Sequence, residues 1–153
     1  MSLDPKYVGA LKALALEIGA DAEALTACQT LVVGNVILTF SPTEDAGATT
    51  IQCACKIGPL PPEPSIDLLR LLLQANTLGP ATAGATFALQ LGADELVLEQ
   101  RHSVDTPPAM LARACRNQAE AALAWAPALT HGTQRVSRSS AANLYDMLSG
   151  IQS

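Results

Sequence analysis

The chain is poor in aromatic residues, which limits how its core can be built. Phe, Trp and Tyr make up 3% of the 153 residues, whereas hydrophobic residues of all kinds make up 49%. The core must therefore consist mainly of Leu, Val, Ile and Ala, and Ala buries little area per residue. A chain of this length fits one domain. Association with another chain would benefit such a domain, because a partner adds buried apolar surface.

Positive charge is also scarce. Nine Lys and Arg are set against 14 Asp and Glu, giving a net charge of -5. A surface of this sign repels phosphates, so we expect no nucleic-acid partner. No segment reaches the roughly 18 apolar residues of a membrane span, and the start MSLDPK lacks a signal-peptide pattern. We therefore expect a cytoplasmic protein that does not insert into a membrane.

Motifs that carry chemistry are missing. No CxxC pair occurs among the four cysteines, Cys28, Cys53, Cys55 and Cys115. Cys53 and Cys55 alternate along a predicted strand, which favours small buried side chains over a zinc site. A nucleophile and base pair formed by a cysteine with His102 or His131 has no supporting motif, and no phosphate-binding glycine motif is present. We expect no enzyme, no cofactor and no metal.

The hydrophobic periodicity predicts an α+β fold, an antiparallel sheet with helices in the order α-β-β-β-α-β-β-α. A first helix begins at Asp4-Pro5 and ends at Gly19, and a hairpin turn falls at Gly34-Asn35. A long last helix ends at Pro127. Strands are predicted over residues 27–33, 36–41, 50–57, 85–91 and 95–103.

These elements predict one domain over residues 1–129. The remaining residues, 130–153, read as a polar C-terminal tail with a possible short helix.

Residues 65–79, SIDLLRLLLQANTLG, predict a helix that is capped by Ser65 and is more apolar than one domain needs. Its polar stripe is only about 80° wide, and apolar side chains spread over roughly 220°, interrupted by Asn76. The helix is either central to the core or part of a subunit interface. Two apolar flanks are distinguishable, with Leu72 between them: Leu68, Leu71 and Ala75 on one side, and Ile66, Leu69 and Leu73 on the other.

The segment from Asp67 to Trp125 resembles the class I type III secretion chaperones of the Tir chaperone family. The likeness rests on the Ala75-Asn76 pair that closes the central helix, the strand GATFALQLG, and LVLEQR before the last helix. It covers roughly residues 4–127. The motifs are degenerate, and the tail departs from the family core.

The resemblance implies a cytoplasmic homodimer in a Gram-negative bacterium, associated with virulence and without enzymatic activity. Such a chaperone binds the extended N-terminal segment of a secreted effector protein, keeps it soluble and delivers it to the export apparatus, where the secretion ATPase is a further candidate partner. An adaptor or regulatory domain of the same fold, with an unknown protein ligand, is the alternative, and a cysteine-dependent enzyme ranks last.

Two sets of residues are candidates for these contacts. The resemblance places the dimer interface on the central helix and the strand that follows: Leu68, Leu69, Leu71, Leu72, Ala75, Phe87 and Leu89. The effector-binding candidates are apolar residues of the first helix and hairpin: Leu11, Leu14, Ile18, Leu31, Val33, Val36 and Leu38. At least half of the latter should be ordinary core. Arg113 and Arg116, with Arg101, are either a solvated helix face or a site for an acidic ligand.

Overall fold

A computed structural model describes residues 2–77, 79, 82–90 and 92–130. The tail predicted over 130–153, apart from Thr130, lies outside these residues. The described part contains four helices, α1 (Pro5–Ile18), α2 (Ala22–Cys28), α3 (Ile66–Thr77) and α4 (Pro108–Thr130). Its five strands are β1 (Thr30–Val33), β2 (Val36–Asp45), β3 (Ala48–Pro59), β4 (Thr86–Gln90) and β5 (Glu95–Ser103). The predicted α+β class and the order of its elements are confirmed, with α2 as an addition.

The added helix corrects the prediction of a strand that begins at residue 27. Asp21 caps α2, because its carboxylate accepts hydrogen bonds from the backbone N–H groups of Glu23 and Ala24. Helix α2 ends at Gln29, whose backbone is left-handed with φ of 54°. The strand therefore starts only at Thr30.

The last helix corrects the prediction of a stop at Pro127. Helix α4 continues through Pro127 to Thr130. Proline removes one N–H donor and crowds the preceding turn. Because Pro127 lies in the last turn, few hydrogen bonds depend on that position.

The sheet is antiparallel throughout and has the order β1-β2-β3-β5-β4, so that β1 and β4 are its edges. The predicted hairpin at Gly34-Asn35 is confirmed by the pairing of Val33 with Val36. One face of the sheet is apolar and buried along a single row of register partners, Leu38, Cys55, Leu98 and Phe87. This face packs against α1 and α4.

Helix α4 is attached to the sheet by a buried amide. Gln118 is fully buried, and its Nε2 donates to the backbone carbonyl oxygens of Cys53 on β3 at 3.0 Å and Leu98 on β5 at 2.9 Å. Two turns further along, Trp125 meets Phe87 edge to face, with ring centroids 4.8 Å apart. The two contacts hold α4 lengthwise over the inner face.

Helix α3 is attached to the sheet edge rather than to a sheet face. Ser65 caps its start by accepting a hydrogen bond from Leu68 N–H at 3.1 Å, as predicted. Near its end, the Asn76 side chain bonds to both backbone groups of Phe87. Its Oδ1 accepts from the Phe87 N–H at 2.6 Å and its Nδ2 donates to the Phe87 carbonyl oxygen at 3.3 Å. Asn76 thus occupies the position that a neighbouring strand would take beside β4.

We expect Asn76→Ala to lower the free energy of unfolding by about 1–2 kcal/mol, because it leaves two partly buried backbone groups of Phe87 without their partners. Urea denaturation followed by circular dichroism measures this loss. Thr77→Ala, at the exposed neighbouring position, is the control and should stay within about 0.5 kcal/mol of the unmodified chain. Equal stability of both variants would contradict a role for the Asn76–Phe87 pair.

Candidate protein-binding surfaces

The structure assigns different environments to the two flanks of α3. Leu68, Leu71, Leu72 and Ala75 are buried in the core of the single chain. Ile66 and Leu73 on the other flank remain 69% and 68% exposed, and Leu69 is 38% exposed. We call Ile66, Leu69 and Leu73 the outer flank of α3. Their spacing of three and four residues makes one continuous apolar stripe along the helix.

The residues proposed for a dimer interface therefore fall into two groups. Leu69 on α3 and Leu89 on β4 are exposed, and they are available to a second chain. The other five are largely covered within the single chain: Leu68, Leu71, Leu72, Ala75 and Phe87. Those five pack in the core of the single chain, and this packing leaves Leu69 and Leu89 facing outward.

The effector-binding candidates divide in the same way. Leu11 and Leu14 on α1, and Val36 and Leu38 on β2, are buried in the core. Ile18 is exposed at the end of α1, and Leu31 and Val33 are partly buried on β1. Leu16 and Val32 are exposed next to these candidates in sequence, but they lie off the apolar faces of α1 and the hairpin, so the hydrophobic periodicity does not indicate them.

The three accessible candidates lie around one groove. A cavity of about 310 Å³ is bounded by the end of α1, the edge strand β1 and the first half of α4. Ile18, Leu31 and Val33 line it together with Cys115 and Arg116 of α4. We call this cavity the β1 groove.

The strand beside the β1 groove has an open edge. Because the Gln29 carbonyl accepts the Phe40 N–H at 2.8 Å, the odd-numbered residues of this segment bond to β2. The backbone groups of Thr30 and Val32 consequently point away from the sheet. The edge of β1 thus offers hydrogen-bonding groups next to an apolar groove.

A larger cavity, of about 790 Å³, opens at one end of the sheet. Exposed side chains on its walls include Ile37, Leu89 and Leu123. Leu89 therefore connects this cavity to the edge strand next to α3. The apolar surface near β4 is larger than the outer flank alone.

The cysteines have the environments of packing residues. Cys53 and Cys55 are buried on the inner face of β3 as predicted, and burial raises the pKa of the Cys55 thiol to about 11. Cys53 and Cys115 share a hydrogen bond, which raises the pKa of Cys53 together with burial. The same bond lowers the pKa of Cys115 against the effect of burial, and the charge of Arg116 adds to the lowering. The hydrogen-bond partner of the Cys115 thiol among the described residues is thus another thiol, that of Cys53.

Neither a metal-binding cluster nor a membrane-spanning helix is found in the described part of the chain. Within it, no three His, Cys, Asp or Glu side chains come together in a way that could hold a metal ion. None of its helices is both long and apolar enough to cross a membrane.

Comparison with known proteins assigns the chain to a family. The sequence model of the Tir chaperone protein (CesT) family matches residues 9–126, so the chain belongs to this family. No curated protein sequence matches it significantly. The matched region runs from α1 to the last turns of α4, and the resemblance to class I type III secretion chaperones is confirmed. The family implies a chaperone that binds a secreted effector protein, and chaperones of this family are not enzymes.

We expect a thiol-specific reagent at pH 8 to react rapidly with one of the four cysteines of the native chain, the exposed Cys28. The other three are buried and should react only on unfolding. Absorbance after addition of an aromatic disulfide reagent measures the fast and total thiol counts. Cys28→Ser should remove the fast phase, and a fast phase that survives in this variant would contradict the packing of Cys53, Cys55 and Cys115.

Proposed function

We propose that the chain acts in the bacterial cytoplasm as a homodimeric class I type III secretion chaperone. One surface binds a second copy of the chain, and another binds the extended N-terminal segment of a secreted effector. The cargo is kept soluble and then delivered to the export apparatus, with the secretion ATPase as the partner for release. The observation that carries the proposal is the presence of two separate apolar surfaces, at the two edges of one sheet, in a chain of the CesT family.

The outer flank of α3 supports the dimer. Ile66, Leu69 and Leu73 have the three-four spacing by which two helices pack along a shared apolar seam. In a twofold dimer the same patch serves both chains, so a stripe along one helix can pair with its own copy. Leu89, on the strand β4 that α3 contacts, is exposed as well. Contiguous apolar surface of this kind on a single chain typically marks an interaction site.

The β1 groove supports cargo binding. An extended segment can add to the open edge of β1 through backbone hydrogen bonds and insert alternate side chains into the groove. Backbone pairing is insensitive to sequence, whereas the walls of Ile18, Leu31 and Val33 select apolar side chains. Ordering a disordered segment costs free energy, so we expect exposed residues of the groove, such as Val32, to add contact area.

The test is co-expression of the tagged chain with the products of neighbouring genes. We expect one secreted protein to become soluble and to co-purify with the chain, and its N-terminal segment to be protected from a protease. A chain that forms a dimer but retains none of these products would favour an adaptor of the same fold.

We expect Leu73→Asp to weaken the dimer. The substitution places a charge in an apolar interface, and a penalty of about 3 kcal/mol raises the dissociation constant roughly 100-fold. Sedimentation equilibrium measures the constant. Leu73 is exposed in the single chain, so the circular dichroism spectrum should not change. Gln74→Asp, at the next exposed position of α3, is the control, and a dimer equally tight in both variants and in the unmodified chain would refute this interface.

Ile18→Asp should impair cargo binding and not the dimer, because Ile18 lies at the β1 groove and not on α3. We expect this variant to remain dimeric but to lose most of the co-purified cargo, while Leu73→Asp shows the dimer defect. Quantification of cargo per chain after affinity purification provides the measurement. Retention of cargo by Ile18→Asp at the unmodified level would remove the groove from the binding surface.

A further inference from the structure

Among the described residues that line the β1 groove, one is charged, and that residue is basic. Arg116 of α4 lines the groove beside the apolar walls formed by α1 and β1. We propose, on the basis of the cargo-binding role above, that the groove binds segments in which a carboxylate lies close to an apolar side chain, and that Arg116 binds the carboxylate. Arg116 is thus a specificity-determining residue for the cargo.

Arg116 is itself exposed to solvent, but its charge acts on a buried residue of the groove lining. Cys115 forms part of the groove lining and is almost fully buried. The guanidinium of Arg116 contributes to lowering the pKa of the Cys115 thiol, after the larger effect of the hydrogen bond from Cys53. A carboxylate held in the groove would experience the same positive charge.

Arg116 is available for a ligand. The ion pairs among the described residues are Lys12 with Glu23 and Lys56 with Glu95, so neither includes Arg116. Glu120 follows Arg116 by one helical turn, a spacing that permits ion pairing, but no ion pair forms between them within 4.0 Å. Neither Glu120 nor Glu17 at the end of α1 lines the groove. A guanidinium that has no ion-pair partner among the described residues can bind a carboxylate through two parallel hydrogen bonds.

The local charge differs in sign from the net charge of the chain. A net charge of -5 favours basic partners at long range. Screening limits that field to about 8–10 Å at physiological salt, whereas a contact in a partly desolvated groove is screened less. The groove can therefore select an acidic side chain although the whole protein is acidic.

The shape of the site limits where the carboxylate lies. In an extended segment, side chains two positions apart point to the same face and are about 6.5–7 Å apart. A cavity of about 310 Å³ holds one or two apolar side chains. We therefore expect the Asp or Glu within three positions of the inserted apolar residue.

A displayed library of random 12-residue peptides tests this specificity without knowledge of the natural cargo. The library is selected on the full chain, on Arg116→Gln and on Arg113→Gln. Arg113 is exposed one turn earlier on α4 and does not line the groove, so it is the matched control. Circular dichroism and thermal unfolding verify that all three proteins are folded.

We expect peptides selected on the unmodified chain and on Arg113→Gln to contain Asp or Glu within three positions of a large apolar residue. This pattern should be lost on Arg116→Gln and partly restored on Arg116→Lys. For the best peptide, replacing the acidic residue by its amide should weaken binding about tenfold to the unmodified chain and not to Arg116→Gln, as measured by fluorescence anisotropy. Selection of the same peptides by Arg116→Gln, or of no peptides by the unmodified chain, would overturn the proposal.

The outcomes separate this inference from the proposed function. If the co-expressed cargo binds Arg116→Gln as tightly as the unmodified chain, the result supports the chaperone role and contradicts the recognition of a carboxylate by Arg116. If no neighbouring gene product binds but the peptides show the acidic pattern, the result supports the specificity of the groove and contradicts the role in secretion.

Discussion

The side chain of Asn76 constrains the rotation of α3 about its own axis. Asn76 bonds to both the N–H and the carbonyl of Phe87, and both contacts can form only when its side chain faces the edge of β4. In that rotation Leu68, Leu71, Leu72 and Ala75 face the core of the chain. The outer flank, with Ile66, Leu69 and Leu73, is then directed to solvent. Because the helix is apolar around most of its circumference, hydrophobicity alone would not choose between the two flanks.

Because of the same pair of hydrogen bonds, the two edges of the sheet differ in whether their outer backbone groups are available to a further strand. At β4, the amide of Asn76 occupies backbone groups that another strand would use. At β1, the corresponding groups of Thr30 and Val32 are open and adjoin an apolar groove. The edges are separated by four strand spacings of about 4.8 Å, or roughly 19 Å. In the proposed assembly a second chain at the β4 side and a cargo segment at β1 can therefore bind at the same time.

Much of the fold follows from local sequence patterns, and the failures have physical causes. The turn at Gly34-Asn35, the alternation through Cys53 and Cys55, and the cap at Ser65 depend on short-range rules, and all three are confirmed. Helix α2 was missed although Asp21 is a good cap, because seven residues carry little periodicity. Pro127 does not end α4, because a proline near a helix end removes few hydrogen bonds.

The candidate surfaces were harder to predict than the fold. The sequence shows that Leu11 and Leu14 are apolar and share a helix face, but it does not show that α4 and the sheet cover that face. In the sequence, Asn76 only interrupts an apolar stripe. Its role is not visible there, because its partner Phe87 lies 11 residues away on a different element. Exposure depends on which elements meet across the fold, so the outer flank of α3 and the β1 groove emerge only from the assembled structure.

The central claim is that the apolar surface left on the single chain is covered by a second copy of it. Light scattering coupled to size-exclusion chromatography of the unmodified chain at micromolar concentration tests this most directly. The account predicts a mass of twice the 15.9 kDa chain, retained on tenfold dilution. A mass of one chain throughout that range would contradict it.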